Sequence, residues 1–456
     1  MTGINESRGG PGLPAVVTAS VPAAAGASVA AGPHTLAAEA VSACPHTLAA
    51  EAVSACPHAG AAAPYPFGPV RALDLHPRYL ELCRHEPVSR VRLPYGGEAW
   101  LVTTYAEIKG FLADPRFSSM AATAPDTARV TPLPLRPGGL LTMDPPEHSR
   151  LRRVVAKAFN ARAVGRLAAR IQEVCDARLE RLAGLPQPAD LVTGLAAPLP
   201  VVMICELFGI PYAERDRFRQ YSDVLVATSA YSAAEVNDAR GQLEAYLGEL
   251  IERRRREPAD DLVNTLVEAM DVEKLSAVEA ARTGLGILMA GHETSLSMIS
   301  NACFLVLSQP ALYAQLCAQP AIVPSAVEEI LRVVPLRSLG SFPRRATEDV
   351  RLGDVLVRAG DTVIFQRAAA DRDPRVFDEP DTIDLTRAPN PHLAFGHGAH
   401  HCLGAPLARA ELQSALEGLT RRFPELRLAV PPADVVWKPG LIARCPAALP
   451  VVWGAS

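Results

Sequence analysis

Aromatic residues are scarce in this 456-residue chain, at 5%. Ala, Leu, Val and Arg dominate instead, a mixture that favours helix over strand. No window of about 18 consecutive strongly apolar residues exists, so no plain membrane span is expected. No lysine-rich run appears and the net charge is only -4, so nothing favours nucleic acid as a partner. The basic run Arg253–Arg256 reads as a solvated helix end. The nine cysteines are odd in number and lack paired spacing. In a chain this long that argues against a disulfide framework and for a reducing, cytoplasmic setting. Residues 15–32 are only weakly apolar, Arg8 alone precedes them, and Pro22 interrupts them, so a signal peptide is not expected. No G-x-G-x-x-G follows a strand pattern, and no cysteine cluster suits iron–sulfur. Flavin, nicotinamide and iron–sulfur carriers are therefore not expected on this chain.

Apolar residues make up 49% of the chain, enough for a large core. They are not evenly useful. Residues 1–63 are Ala-, Gly- and Pro-rich and cannot build a core of their own, so a mobile tail is expected. Within them PHTLAAEAVSAC occurs twice in tandem, at Pro33–Cys44 and Pro45–Cys56, and Pro57–His58 begins a third copy. A duplication in a tolerant tail explains this. The sharper alternative is metal or haem binding by the triplets Cys44–His46 and Cys56–His58. From 64 to 456 the pattern is that of one globular domain, mainly α with a small β portion. Strands are expected at Val88–Leu93 and Ala99–Thr103, at Val350–Val357 and Thr362–Phe365, and near the C-terminus. Helices are expected at Pro145–Phe159, Val164–Leu182, Ala213–Ser229, Ala234–Glu257, Ala277–Leu307, Pro324–Val333 and Ala405–Arg422.

Four segments carry candidate chemistry. The first is Phe395-Gly396-His397-Gly398-Ala399-His400-His401-Cys402-Leu403-Gly404. A lone Cys is usually a small apolar side chain. Here it lies in a glycine-rich loop just ahead of a helix, where backbone N–H groups and the helix dipole favour a thiolate. The spacing F-x-x-G-x-x-x-C-x-G is very specific. The second is Ala290-Gly291-His292-Glu293-Thr294-Ser295, midway along a helix of roughly 45 Å. Ser276 and Glu279 form a capping box at its start. An acid and an alcohol there are costly unless partnered; the plain alternative is a Thr hydroxyl bonded to the preceding turn. The third is Glu329 and Arg332, three apart and able to pair on one helix face. The fourth is Asp144–Arg152, an N-cap, two prolines and a helix start. His148 and Arg152 share a face there and could bind carboxylates.

In their order along residues 64–456 these segments resemble bacterial cytochromes P-450. The stretch Arg372-Asp373-Pro374 resembles a structural motif of the same family. Framework stretches such as Pro87–Pro94, Gly353–Gly360 and Ala388–His392 look like its biflaviolin and mycocyclosin synthases. The resemblance implies a helical prism with a long central helix and haem b, with Cys402 as the axial thiolate. It implies that Glu293 and Thr294 relay protons, and that His148, Arg152, Arg344 and His400 hold the propionates, with Phe395 and Gly398 in the haem loop. Glu329 and Arg332 become an ion pair locking that loop. The family usually adds a third basic group where Thr382 stands here; Arg387 is the candidate substitute.

The same resemblance implies oxidation of a small molecule by dioxygen, with electrons from a ferredoxin and its reductase. Arg150, Arg153 and Arg409 are candidate docking charges, or simply solvated arginines. Pocket candidates are Ala290, Gly291, Arg337, Leu339, Phe342 and Gln366. The substrate expected is an aromatic secondary metabolite, a polyketide or cyclic dipeptide, hydroxylated or oxidatively coupled. A macrolide, terpenoid or xenobiotic is the alternative. A haem-thiolate sensor and a haem-free binding protein are the other classes. A monomer is expected.

Overall fold

Helix dominates and the strands are short, as the composition requires. The computed structural model describes residues 62–132, 134–159, 161–214, 221, 224–225, 232–337 and 340–454. The tandem repeat, Leu339 and most of the helix expected over 213–229 lie outside the described residues.

The described chain opens with strand β1 (Ala63–Pro64), helix α1 (Pro77–His85) and the hairpin β2 (Val88–Arg92) and β3 (Glu98–Val102). Gly96 turns the hairpin at φ +80°, and a Cβ there would lie 2.6 Å from the Thr127 carbonyl oxygen; only glycine fits. Then come α2 (Tyr105–Ala113), β4 (Phe117–Ser118), α3 (Glu147–Ala156), α4 (Ala161–Ala183), β5 (Ala189–Asp190) and α5 (Pro198–Phe208). Helices α6 (Ala233–Arg256), α7 (Leu262–Val272), α8 (Ala277–Ser308), α9 (Pro310–Ala318) and α10 (Val323–Val333) follow. Strands β6 (Arg344–Ala346), β7 (Val350–Leu352), β8 (Val355–Val357) and β9 (Thr362–Phe365) lead to a helical turn, α11 (Arg367–Ala370). Helix α12 (Ala405–Arg422) and strands β10 (Arg427–Leu428) and β11 (Pro450–Val452) complete the set.

The main sheet has the order β1-β2-β3-β9-β6-β4. Parallel pairing of β3 with β9 sets Val102 against Phe365, and the Gln366 N–H donates to the Val102 carbonyl at 2.9 Å. That pairing delivers β6 and the start of α11 to the site. The expected strand over 350–357 is a tight hairpin instead, split where Gly353 takes φ +58°.

Helices α1, α2, α5, α7 and α9 have no counterpart in the sequence reading. Each is only 9–11 residues long. Helix α5 buries nearly every side chain, so it shows no polar stripe for a period to reveal.

Helix α8 packs against α5, α6, α9 and α12. Its start is fixed by the expected box: the Glu279 N–H donates to Ser276 Oγ at 3.2 Å, and the Ser276 N–H to Glu279 Oε2 at 2.9 Å. Its two halves differ. Leu296 through Leu307 are buried without a break. Earlier, Arg282, Gly286, Ala290 and Thr294 are exposed at four-residue spacing, which is one ridge of the helix.

Candidate active site

The loop Phe395–Gly404 is shaped by its own backbone. The Cys402 N–H donates to the Phe395 carbonyl at 2.8 Å. Gly398 takes φ +71°, and a Cβ there would meet the Leu112 carbonyl oxygen at 2.5 Å. The loop therefore rests on the end of α2 only because position 398 is glycine. Among the described cysteines, Cys402 alone is exposed. Burial and the loop's hydrogen bonds and charges act on the Cys402 sulfur in opposite directions. Although Cys402 opens to solvent, the protein around it desolvates the sulfur and pushes the thiol up. The Gly404 N–H, Arg152, Arg367 and Arg409 act the other way without overcoming this. A thiolate here needs the opposing charge of a metal.

Two clamps lie beside the loop, the first on residues 371–390 that precede it and the second on Phe395 itself. Glu329 and Arg332 are fully buried on α10 and pair at 2.7 and 2.8 Å. Arg332 also donates to the carbonyls of Asp371, Pro380 and Thr382 at 2.8, 2.7 and 3.2 Å. All its guanidinium donors are thereby matched. Glu329 further accepts from the Asp384 N–H at 3.0 Å, Asn390 Nδ2 at 3.0 Å and Arg387 Nε at 3.1 Å. Arg387 thus stands as the third basic group, while Thr382 contributes only its carbonyl. Burial pushes the Glu329 carboxyl up, but Arg332, the Asp384 N–H and Arg387 outweigh it and hold it low. In the second clamp, Arg409 stacks 4.5 Å above the Phe395 ring. It pairs with Glu328 at 2.7 Å, and His392 meets the same carboxylate at 3.0 Å. Arg372, from the motif read as structural, donates to the Val333 carbonyl at 2.7 Å.

A third group of residues is unlike these clamps. His148 on α3 and His400 in the loop have ring centroids 4.2 Å apart. His148 is buried and its Nδ1 has no hydrogen-bond partner. Arg344 on β6 is 8% exposed and donates to the Leu112 carbonyl at 3.3 Å. Arg152 donates to the His401 carbonyl. Burial, the largest cause, lowers the basicity of all four, and that of His400 to about 3. Asp144 is not the helix N-cap expected. Pro146 holds that position, and the Asp144 carboxylate is turned to Ser118 and to the N–H groups of Ser119 and Met120. Four cation-capable groups held together with so little compensation make an anion site.

On α8, Glu293 is buried and accepts from Ser297 Oγ at 3.5 Å. Thr294 is exposed, and its hydroxyl bonds back to the Ala290 carbonyl. The two residues turn to different sides of the helix. Ser295 hydrogen-bonds Glu411 of α12, whose carboxyl burial pushes up to about 7. Glu411 went unnoticed in the sequence, although it shares a buried face with Leu407, Ala415 and Leu419. An acid at that spacing is the available signal.

A cleft of about 840 Å³ is bordered by Arg337, Phe342, Arg344, Gln366, Gly396 and His400, among others. Ala290 and Gly291 do not border it. Ala290 lies on the exposed ridge of α8, and Gly291 packs on Ile204. Of the docking candidates, Arg150 pairs with Glu279 at 3.0 Å and Arg409 with Glu328, while Arg153 is exposed and, among the described residues, bonds to the Ser149 carbonyl.

The family model described as "Cytochrome P450" matches residues 87–437. The chain belongs to the cytochrome P450 family. Among curated relatives of this P450 is nocardicin C N-oxygenase of Nocardia uniformis subsp. tsuyamanensis, 50% identical over 390 residues, or 85% of this chain and 98% of the relative. A biflaviolin synthase of Streptomyces coelicolor is 37% identical over 395 residues, 84% of this chain and 97% of the relative. The crystal structure of HinD with NMFT and NO matches with TM-score 0.83 at 45% identity, covering 86% of this chain and all of that one. No single helix among the described residues is long and apolar enough to cross a membrane. P450s carry haem b on a cysteine thiolate, and the residues present fit that group. The orphaned His148 Nδ1 and the undercompensated cations suit its propionates, and the exposed Cys402 suits its iron.

Proposed function

We propose that this P450 monooxygenase oxidises an aromatic secondary metabolite by oxygen insertion, with Cys402 as the haem ligand. The exposed Cys402, clamped next to the undercompensated cluster of His148, His400, Arg344 and Arg152, is the observation that carries this reading. Bound haem supplies dioxygen activation and one-electron chemistry. The protein supplies the rest. Arg152 and Arg344 would neutralise the two propionates, and His148 and His400 would donate hydrogen bonds to them. Phe395 and Gly398 shape the loop. Thr294 Oγ, on the exposed ridge of α8, holds a proton toward the reacting oxygen. Glu293, the next residue and about 100° around the helix, is the acid that resupplies it. Glu329 and Arg332 position the loop without touching substrate.

Electrons come from separate proteins, a ferredoxin and its reductase, docking near Arg153. Residues 64–456 form the catalytic domain and act as a monomer in the cytoplasm, with the repeat-bearing tail dispensable. Similarity to nocardicin C N-oxygenase supports oxygen insertion. Similarity to a biflaviolin synthase supports a second outcome, oxidative coupling of an aromatic substrate.

The test is the absorption spectrum of the reduced CO complex. A thiolate-type band in the wild type and its loss in Cys402→Ser are expected. A Cys402→Ser protein with the wild-type band would overturn the assignment. Turnover with redox partners and an aromatic cyclic dipeptide then separates an oxygenated product from a coupled one.

A further inference from the structure

Arg337 lies five residues beyond Arg332 and is treated very differently by the fold. Its backbone is pinned by a bridge to Ala443, and its guanidinium stacks on the Phe342 ring at 4.0 Å. Its Nε is buried without a hydrogen-bond partner, and among the described residues it forms no ion pair. Burial, then the nearby Arg367, lowers its basicity to about 10, so it remains a cation at neutral pH.

Arg337 borders two adjoining hollows, the 840 Å³ cleft and a second of about 530 Å³. Among the described residues, no Asp or Glu borders either one. In the first, Arg344 and His400 are spoken for by the propionates. In the second, Arg129 gives its donors to the carbonyls of Pro125, Thr127 and Pro132. Thr127 lines that same hollow, is 3% exposed, and its Oγ1 has no partner. Arg337 Nε and Thr127 Oγ1 are thus left without partners, and both residues border the second hollow, which the haem-side residues do not line.

We propose that Arg337, assisted by Thr127, is the specificity-determining anchor for a carboxylate on the substrate. This rests on the P450 reading above and names the class of its substrate. A half-buried guanidinium with an unmatched Nε and no ion pair among the described residues is costly, and a carboxylate relieves that cost with two parallel hydrogen bonds to its planar fork. The stack on Phe342 and the bridge to Ala443 hold the fork in place beforehand, so little ordering is left to binding. A neutral amide or ester of the same shape cannot neutralise the charge and binds less well.

The test titrates 4-biphenylcarboxylate and 2-naphthylacetate, each beside its primary amide, into the haem-loaded protein. Binding is read by calorimetry and by the shift of the haem absorption band. The carboxylates are expected to bind about tenfold or more tightly than the amides, as one charge-assisted contact implies. Arg337→Gln should abolish that ratio, Thr127→Val should reduce it, and Arg337→Lys should keep part of it. Arg337→Gln should also keep the wild-type CO spectrum and haem content. Amides binding as well as the acids, or no acid binding at millimolar concentration, would overturn the proposal. So would haem loss from Arg337→Gln, because Arg337 would then be a propionate ligand. A wild type lacking the thiolate-type band would instead sink the haem-thiolate reading, while calorimetry still reports the anion preference.

Discussion

Arg332 and Arg337 are the same residue type, five positions apart, and they live in opposite electrostatic worlds. Around Arg332 the guanidinium donors meet oxygen acceptors, and the partner Glu329 is itself saturated. Around Arg337 and His148 buried nitrogens lack partners, and burial lowers the basicity of Arg344 and His400 near them. A saturated network holds a shape. An unsaturated one waits for a ligand. Burial alone does not separate these cases; a count of partners does.

Breaking the saturated side should cost most. Arg332→Met leaves Glu329 buried with its main counter-charge gone, and should destabilise the protein by about 3–5 kcal/mol. Urea melts measure this, and a wild-type midpoint would dissolve the contrast. Arg387→Met removes the outer partner of the same carboxylate and should cost about 2 kcal/mol. On the unsaturated side the sign should split. Arg344→Gln should speed haem transfer to an acceptor apoprotein by roughly tenfold, the worth of one charge-assisted contact. The haem-free protein should melt no lower than the wild type, because an uncompensated buried cation has been removed. A haem-free variant that melts well below the wild type would place Arg344 with the clamps.

Glu411 offers the mildest test. Burial raises its carboxyl to about 7, above the ordinary glutamate range near 4.3. Below that range folded and unfolded chains are both protonated, and nothing is lost. As pH rises toward 7 the unfolded chain ionises first and folding weakens; above 7 the penalty is constant. Glu411→Gln should therefore gain in Tm over the wild type more at pH 8 than at pH 4. A difference independent of pH would remove Glu411 from the unsaturated group.

Sequence legibility followed the range of the interaction. The box at Ser276 and Glu279, the helix beginning at Ala405 and the glycines of the cysteine loop are local devices, and they read directly. Arg387 could be named as a substitute partner because the motif left a gap for one. Properties that depend on distant packing did not read. The upward push on the Cys402 thiol and the use of Asp144 by residues 118–120 depend on what surrounds them. Helix α5 was hidden because it is buried on all sides.

Helix α10 ends at Val333, between the two arginines. That end is a natural seam for recombining relatives. A chimera that swaps 334–343 alone should import a new ligand preference and leave the iron's anchorage intact. One that starts its swap at 329 would also exchange the keystone, and would succeed only if the donor's counterparts of Asp384, Arg387 and Asn390 travelled with it.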